Sequence, residues 1–402
     1  MEYHFDFTSV MDRRGQDASA IDAVGTPGCP GAPKEGFDLI PMWVADLNFP
    51  YPQSITDAMT GRLQYPHLSY FGTPKGYVEA ISWWQSTRNG VSDVTEENLG
   101  YDNGVLGCVA AAVRAVAEPG EGVLINTPAY IGFTSVIDNI GYKNIESPMT
   151  VRDGKWYMDL DDMEKKIRKH HIRAAVFCNP QNPVGRAWTK EEIREMMDLF
   201  EKYGVLCISD EVWSDIMLFG TKHVPAHTVS DYARTHTVSI YGTAKTFNLA
   251  GLYGAYDIIY DPYLRDRIRA IKDRTVYNKG NLLAYYALMG GYSEMGAAWV
   301  DEMNRVLSEN AKMIFECTRD EFPGVWAAKP DATYMMFFDC REWCEKTGET
   351  MDEVLKKCHD VGVAVQDGRP FRGEWAFRMN HALPTSRVAE ALRRMKQYVF
   401  VN

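Results

Sequence analysis

Three polar clusters in the 402-residue chain each follow a short apolar run. Asn179-Pro180-Gln181-Asn182-Pro183 follows AAVFC (174–178), Asp210-Glu211 follows GVLCIS (204–209), and Gly242-Thr243-Ala244-Lys245 follows TVSIY (237–241). Such runs read as strands covered on both faces, and in an open parallel sheet ligands sit beyond the carboxyl ends of the strands. An amide, a carboxylate and a lysine at successive strand ends can meet on one small aromatic ligand. Asn103-Gly104-Val105-Leu106 opens a helix running to about residue 118, and a helix N-terminus with a glycine entry holds phosphate through free backbone N–H groups. Tyr130, just after the run GVLIN (122–126), offers a ring to stack on a planar ligand. Phosphate site, ring, acid and lysine together point to pyridoxal phosphate. A lysine forms a Schiff base with its aldehyde, and a carboxylate keeps its pyridine nitrogen protonated so that the ring accepts electrons.

The elements that must position these residues alternate in type. Apolar runs, with AYDIIY (255–260) as a fifth, are separated by helical patterns, the signature of βαβ units and a mostly parallel sheet. Thr189 and Glu192 form a capping-box pattern before a helix that carries Ile193, Met196, Met197 and Phe200 and stops at Gly204. After a break at Gly290-Gly291, residues 298–319 place Trp299, Met303, Val306, Leu307, Met313, Ile314 and Cys317 at helical spacing, a long helix leading into a second domain. Short strands at 334–339, 361–366 and 375–379 and helices at 352–360 and 386–399 then make an α+β unit. The expected fold is α/β: a large domain with a mostly parallel sheet flanked by helices, plus a smaller α+β domain. The expected division is 1–45 as an N-terminal arm and part of the small domain, 46–292 as the large domain and 293–402 as the small one.

Composition narrows the partners. Hydrophobic residues make up 46% and charged residues 24%, within the globular range. The 43 basic and 54 acidic residues leave a net charge of -11, so no global positive field draws nucleic acid or an anionic membrane. Eight cysteines are scattered without a CxxC pair or a spaced Cys/His set, which argues against a disulfide scaffold or a metal site. Cys178 and Cys207 lie within apolar runs, as buried reduced thiols of a cytoplasmic protein do. The opening MEYHFDFTSVMDRR lacks the layout of a signal peptide. The longest apolar stretch, Val105 to Ala117, is interrupted by Arg114 and is shorter than the roughly 20 residues of a membrane span.

The same residues carry a family resemblance. The chain resembles the fold type I pyridoxal-phosphate enzymes, which have an aspartate-aminotransferase-like fold, and is most similar to their cystathionine β-lyase / C-S lyase group of the MalY/PatB type. The likeness rests on Pro41-Met42-Trp43-Val44-Ala45-Asp46, Asn126–Tyr130, Asn179–Gly185, Ser209-Asp210-Glu211, Ala244–Gly251 and Phe377-Arg378-Met379-Asn380, in the family's order over roughly residues 40 to 380. It implies that Lys245 is the Schiff-base lysine and the carrier of the substrate Cα proton, and that Asp210 pairs with the pyridine nitrogen. Asn182 would bond the phenolic oxygen, Tyr130 stack on the ring, and the Val105 and Leu106 amides hold the phosphate. Arg378, with Asn380 beside it, would bind the substrate α-carboxylate through a bidentate fork. The resemblance also implies a homodimer, with Tyr70 or Phe71 reaching the partner's phosphate. Gly242 stands where a phosphate-binding serine is common, leaving Thr243 to replace it. Tyr253 stands where aminotransferases place a phosphate-binding arginine, and Trp213 stands where these lyases often have histidine. The implied activity is β-elimination of a thiol from an L-amino acid. An aminotransferase shares every step up to the carbanion, and a non-catalytic amino-acid binder is a third reading.

Overall fold

A computed structural model describes residues 3–401. The apolar runs join a seven-stranded sheet in the order Leu99–Asp102, Ala255–Ile258, Thr237–Tyr241, Leu206–Asp210, Ala174–Cys178, Gly122–Thr127 and Lys143–Pro148. Ala255–Ile258 is antiparallel to both neighbours, and the other pairings are parallel. Cys178 lies opposite Asp210, and Asp210 opposite Ile240. This register puts the polar residues that follow the three central strands on one edge. The central strands are buried along their whole length, as a sheet covered on both faces requires.

Local signals explain the flanking helices. Lys190–Tyr203 begins with a complete capping box: the Glu192 N–H donates to the Thr189 hydroxyl at 3.2 Å and the Thr189 N–H to the Glu192 carboxylate at 2.8 Å. It buries Ile193, Met196, Met197 and Phe200 and ends on Gly204 in the left-handed region. Glu294–Glu321 is the long connecting helix. Beyond it, Trp326–Ala327, Met335–Asp339, Ala376–Asn380 and Gln366–Asp367 form an antiparallel sheet, packed with helices Met351–Asp360 and Thr385–Tyr398. The N-terminal arm enters this unit, since Ile40–Pro41 pairs in parallel with Val363–Ala364.

The structure departs from the sequence expectation in three ways. Gly290 and Gly291 continue the helix Leu282–Gly291, and the break falls at Tyr292-Ser293. A Cβ on Gly290 would lie 2.5 Å from the Ser54 carbonyl oxygen, so that glycine serves close packing on the helix Gln53–Leu63. The single strand expected at 361–366 is two short ones, Val363–Ala364 and Gln366–Asp367, in different sheets. Two sheet strands, Leu99–Asp102 and Lys143–Pro148, are partly exposed edges without a continuous apolar run.

Candidate active site

Lys245 stands in the short helix Thr243–Thr246 directly after Thr237–Tyr241. Burial lowers its ammonium to about 8, with the Arg378 charge adding to the effect and Asp210 and Asp46 opposing it. Its Nζ donates to the Ala45 carbonyl at 3.2 Å. An amine depressed in this way is a competent nucleophile toward an aldehyde near neutral pH. Asp210 closes the neighbouring strand, where burial raises its carboxyl to about 7. Its Oδ1 accepts the Val212 N–H at 3.1 Å, and Oδ2 has no hydrogen-bond donor among the described residues. Next to it, burial alone would raise Glu211, but donors from His223 and Tyr241 hold it below its ordinary value.

Arg378 comes from the small-domain strand Ala376–Asn380. Its Nη1 donates to Asn182 Oδ1 at 3.1 Å, and its Nη2 donates to the Trp43 carbonyl at 3.0 Å and to Gln366. The guanidinium lies 4.5 Å from the Phe371 ring centroid. Burial lowers it to about 10, and its Nε is buried without a partner. A buried cation with a free donor and, among the described residues, no carboxylate paired with it suits an incoming substrate carboxylate. Tyr130 caps the helix Ile131–Asn139. A Cβ on Gly132 would sit 2.4 Å from its ring, so glycine lets the ring lie flat against the chain. Burial raises its hydroxyl, with Asp210 adding to the shift and Arg378 opposing it, which places the ring among those two charges.

Gly104, at φ +122, turns the chain into the helix Val105–Val116, so Val105 and Leu106 present first-turn N–H groups. The segment after Pro262–Thr275 seals this turn: the Asn103 N–H donates to the Tyr277 carbonyl at 3.1 Å and its side-chain amide to the Lys279 carbonyl at 2.8 Å. Thr243, buried, is the first residue of the lysine helix. Tyr253 is exposed at φ +52 and takes no part in the cluster. Tyr70 is fully exposed and makes no contribution within its own chain's site.

The structure adds a strap, Trp43 to Asn48, that extends the Pro41–Asp46 motif, which motif reading left without a role. Asn380, expected beside the substrate, commits its amide hydrogens to the Val44 carbonyl at 2.8 Å and the Asp46 carbonyl at 2.6 Å. It holds the strap, because the sheet aims the Asn380 side chain at that backbone. Tyr334 Oη donates to the Ala45 carbonyl at 3.2 Å, and Asn248 pairs with both backbone groups of Leu47. Arg13, on the arm, pairs with Asp46 and Asn48, each at 2.7 Å. Tyr334 and Arg13 carry no local motif, and only their long-range partners reveal them. Together the residues fit pyridoxal phosphate: a nucleophilic lysine, an acid with an open oxygen, a glycine-entered helix turn and a stackable ring.

Comparison with known proteins agrees with the fold and with the cofactor. The model of the family "Aminotransferase class I and II" matches residues 53–395. The chain is 31% identical over 361 residues to the cystathionine beta-lyase PatB of Bacillus subtilis, covering 89% of this chain and 92% of that relative. It is 30% identical over 398 residues to the protein MalY of Escherichia coli, covering 96% and 97%. The solved PLP-bound C-S lyase of Staphylococcus hominis superposes with a TM-score of 0.88 at 26% identity, over 100% of this chain and 99% of that one. The chain belongs to the aminotransferase class I and II family of pyridoxal-phosphate enzymes, alongside PatB and MalY.

Proposed function

We propose that this protein is a pyridoxal-phosphate-dependent carbon-sulfur lyase that releases a thiol, pyruvate and ammonia from an L-cysteine S-conjugate such as L-cystathionine. The observation that carries the reading is the meeting of a lysine lowered to about 8 and a buried acid at neighbouring strand ends of the large sheet with a partly unpaired guanidinium from the small-domain strand Ala376–Asn380. The 31% identity to a cystathionine beta-lyase supports elimination over amino transfer. Arg378 receives the α-carboxylate and, with Asn182 at its Nη1, sets the orientation of Cα. Lys245 Nζ takes the Cα proton and returns one to the departing sulfur. Asp210 keeps the pyridine nitrogen protonated, so that the cofactor, once bound, supplies an electron sink. Asn182 would hydrogen-bond the phenolic oxygen and Tyr130 would stack on the ring. Val105, Leu106 and Thr243 hold the phosphate.

We further propose that it works in the cytoplasm as a homodimer. All eight cysteines are unpaired, and among the described residues no helix is long and apolar enough to cross a membrane. Leu63, Tyr65, Leu68, Tyr70 and Phe71 form an exposed apolar stretch of the kind a partner covers. The deciding measurement is pyruvate and thiol release from L-cystathionine by the loaded protein, with and without an added 2-oxo acid. Release without the oxo acid is the expected result. Product only when the oxo acid is present, with amino transfer, would make the protein an aminotransferase. Lys245→Ala is expected to lower turnover by at least about a thousandfold, and retained activity would remove the lysine from the reaction.

A further inference from the structure

Lys245 Nζ has two neighbours that the reaction as described leaves unused. It lies 5.6 Å from the centroid of the Trp213 ring, and the Ala45 carbonyl that accepts from it also accepts from Tyr334 Oη, both at 3.2 Å. Trp213 and Tyr334 meet edge to face, 4.7 Å between centroids at 69°, and both are buried, at 2% and 0% exposure. Asn380 fixes the carbonyls on either side of Ala45, so the direction of the shared oxygen is set from three sides. An aromatic face and an oriented carbonyl around a desolvated amine form a receptor for an ammonium, attracted by the ring quadrupole on one side and the carbonyl dipole on the other.

We propose that Trp213 and Tyr334 are positioning residues that form, with the Ala45 carbonyl, a seat for the Lys245 ammonium in the interval between taking the Cα proton and delivering a proton to the leaving sulfur. During that interval the lysine is free of the cofactor and its flexible four-carbon stem needs a fixed resting place. The Cα–H bond breaks, an Nζ–H bond forms, and the electron pair passes into the cofactor's conjugated system. The seat stabilises the resulting cation and keeps it within reach of Cβ. Tyr334 holds the carbonyl in place when the lysine departs. The inference rests on Lys245 as the proton carrier of the proposed elimination.

The charged groups facing Lys245 are Asp210 at the adjoining strand end, Asp46 with Arg13 on the strap and arm, and Arg378 on the small-domain strand. All of them are retained in the variants Trp213→Phe, Trp213→Leu and Tyr334→Phe. Cofactor-free protein of each is mixed with pyridoxal phosphate between about pH 6 and pH 10, and the rate of the absorbance change reports the fraction of neutral Lys245 amine. The midpoint is expected to fall in the order Trp, Phe, Leu, with Trp213→Leu lower by about half a pH unit or more, roughly threefold in acidity. In the loaded enzymes kcat is expected to fall about tenfold for Trp213→Leu and severalfold for Tyr334→Phe, with KM within about twofold of the parent. A midpoint unmoved in both Trp213 variants, or equal in Phe and Leu, overturns the seat. Should Trp213→Leu not fold, an unmoved midpoint in Trp213→Phe together with an unchanged kcat in Tyr334→Phe overturns it equally. The midpoints are read without substrate, so a failure of the elimination reading leaves them intact.

Discussion

Burial raises the Asp210 carboxyl from 3.8 to about 7, so the folded, cofactor-free chain keeps a proton there that the unfolded chain has lost. The cost appears as pH rises above 3.8, grows until the folded group ionises near 7, and is constant beyond. Asp210→Asn removes a carboxylate that has no fully formed partner. Without cofactor, this variant is expected to be more stable than the parent at pH 8 by on the order of a few kcal/mol, the gap closing toward pH 4. With saturating pyridoxal phosphate the order reverses, because only the carboxylate can pair with a protonated pyridine nitrogen. Thermal unfolding across pH with and without cofactor checks this, and parallel curves for the two proteins would refute it. The residue identities were readable from sequence because each follows an apolar run. Their protonation was not, since it depends on desolvation by residues far away in the chain.

At the scale of elements, the turn proposed to hold the phosphate depends on a second segment. A Cβ on Gly107 would lie 1.5 Å from the Tyr277 ring, and the backbone of that segment is hydrogen-bonded to Asn103. Gly107→Ala is expected to push Tyr277 outward and loosen Asn103–Leu106, weakening cofactor binding by about tenfold or more. An absorbance titration of cofactor-free protein measures it, and an unchanged dissociation constant would show that the turn stands alone. The helix Lys190–Tyr203 was evident in advance because capping box, periodicity and terminal glycine are all local. Leu99–Asp102 and Lys143–Pro148 were not, because their place in the sheet comes from partners rather than from their own pattern. Gly290 misled because a missing side chain marks a helix break and a helix contact alike.

For the whole molecule, Tyr70, proposed as a residue of a partner's site, touches nothing in the site of its own subunit. It is fully exposed, in a stretch where neighbouring apolar side chains are also uncovered. If it completes the site of a second copy, Lys245→Ala and Tyr70→Ala subunits fail in different places. Unfolding and refolding them together is expected to restore about a quarter of the parent activity, since half the dimers are hybrids with one intact site of two. No recovery on mixing, or a sedimentation mass of one chain, would place Tyr70 outside the chemistry.

Strand ends carrying Asn182, Asp210 and Lys245 in one order, a glycine-entered helix at Val105 and the ring of Tyr130 were enough to point to the cofactor and the fold class, while Arg378 came from the family resemblance. Local rules suffice there: apolar runs make buried parallel strands, and such sheets bind at their carboxyl ends. Only the tertiary structure decided that Asn380 faces the backbone of the Trp43–Asn48 strap, that Arg13 locks this strap from the arm, and that Trp213 and Tyr334 surround Lys245. These contacts join residues 32 to 334 positions apart. They follow from how the two sheets and the arm close on one another, a packing outcome that no short stretch of sequence encodes.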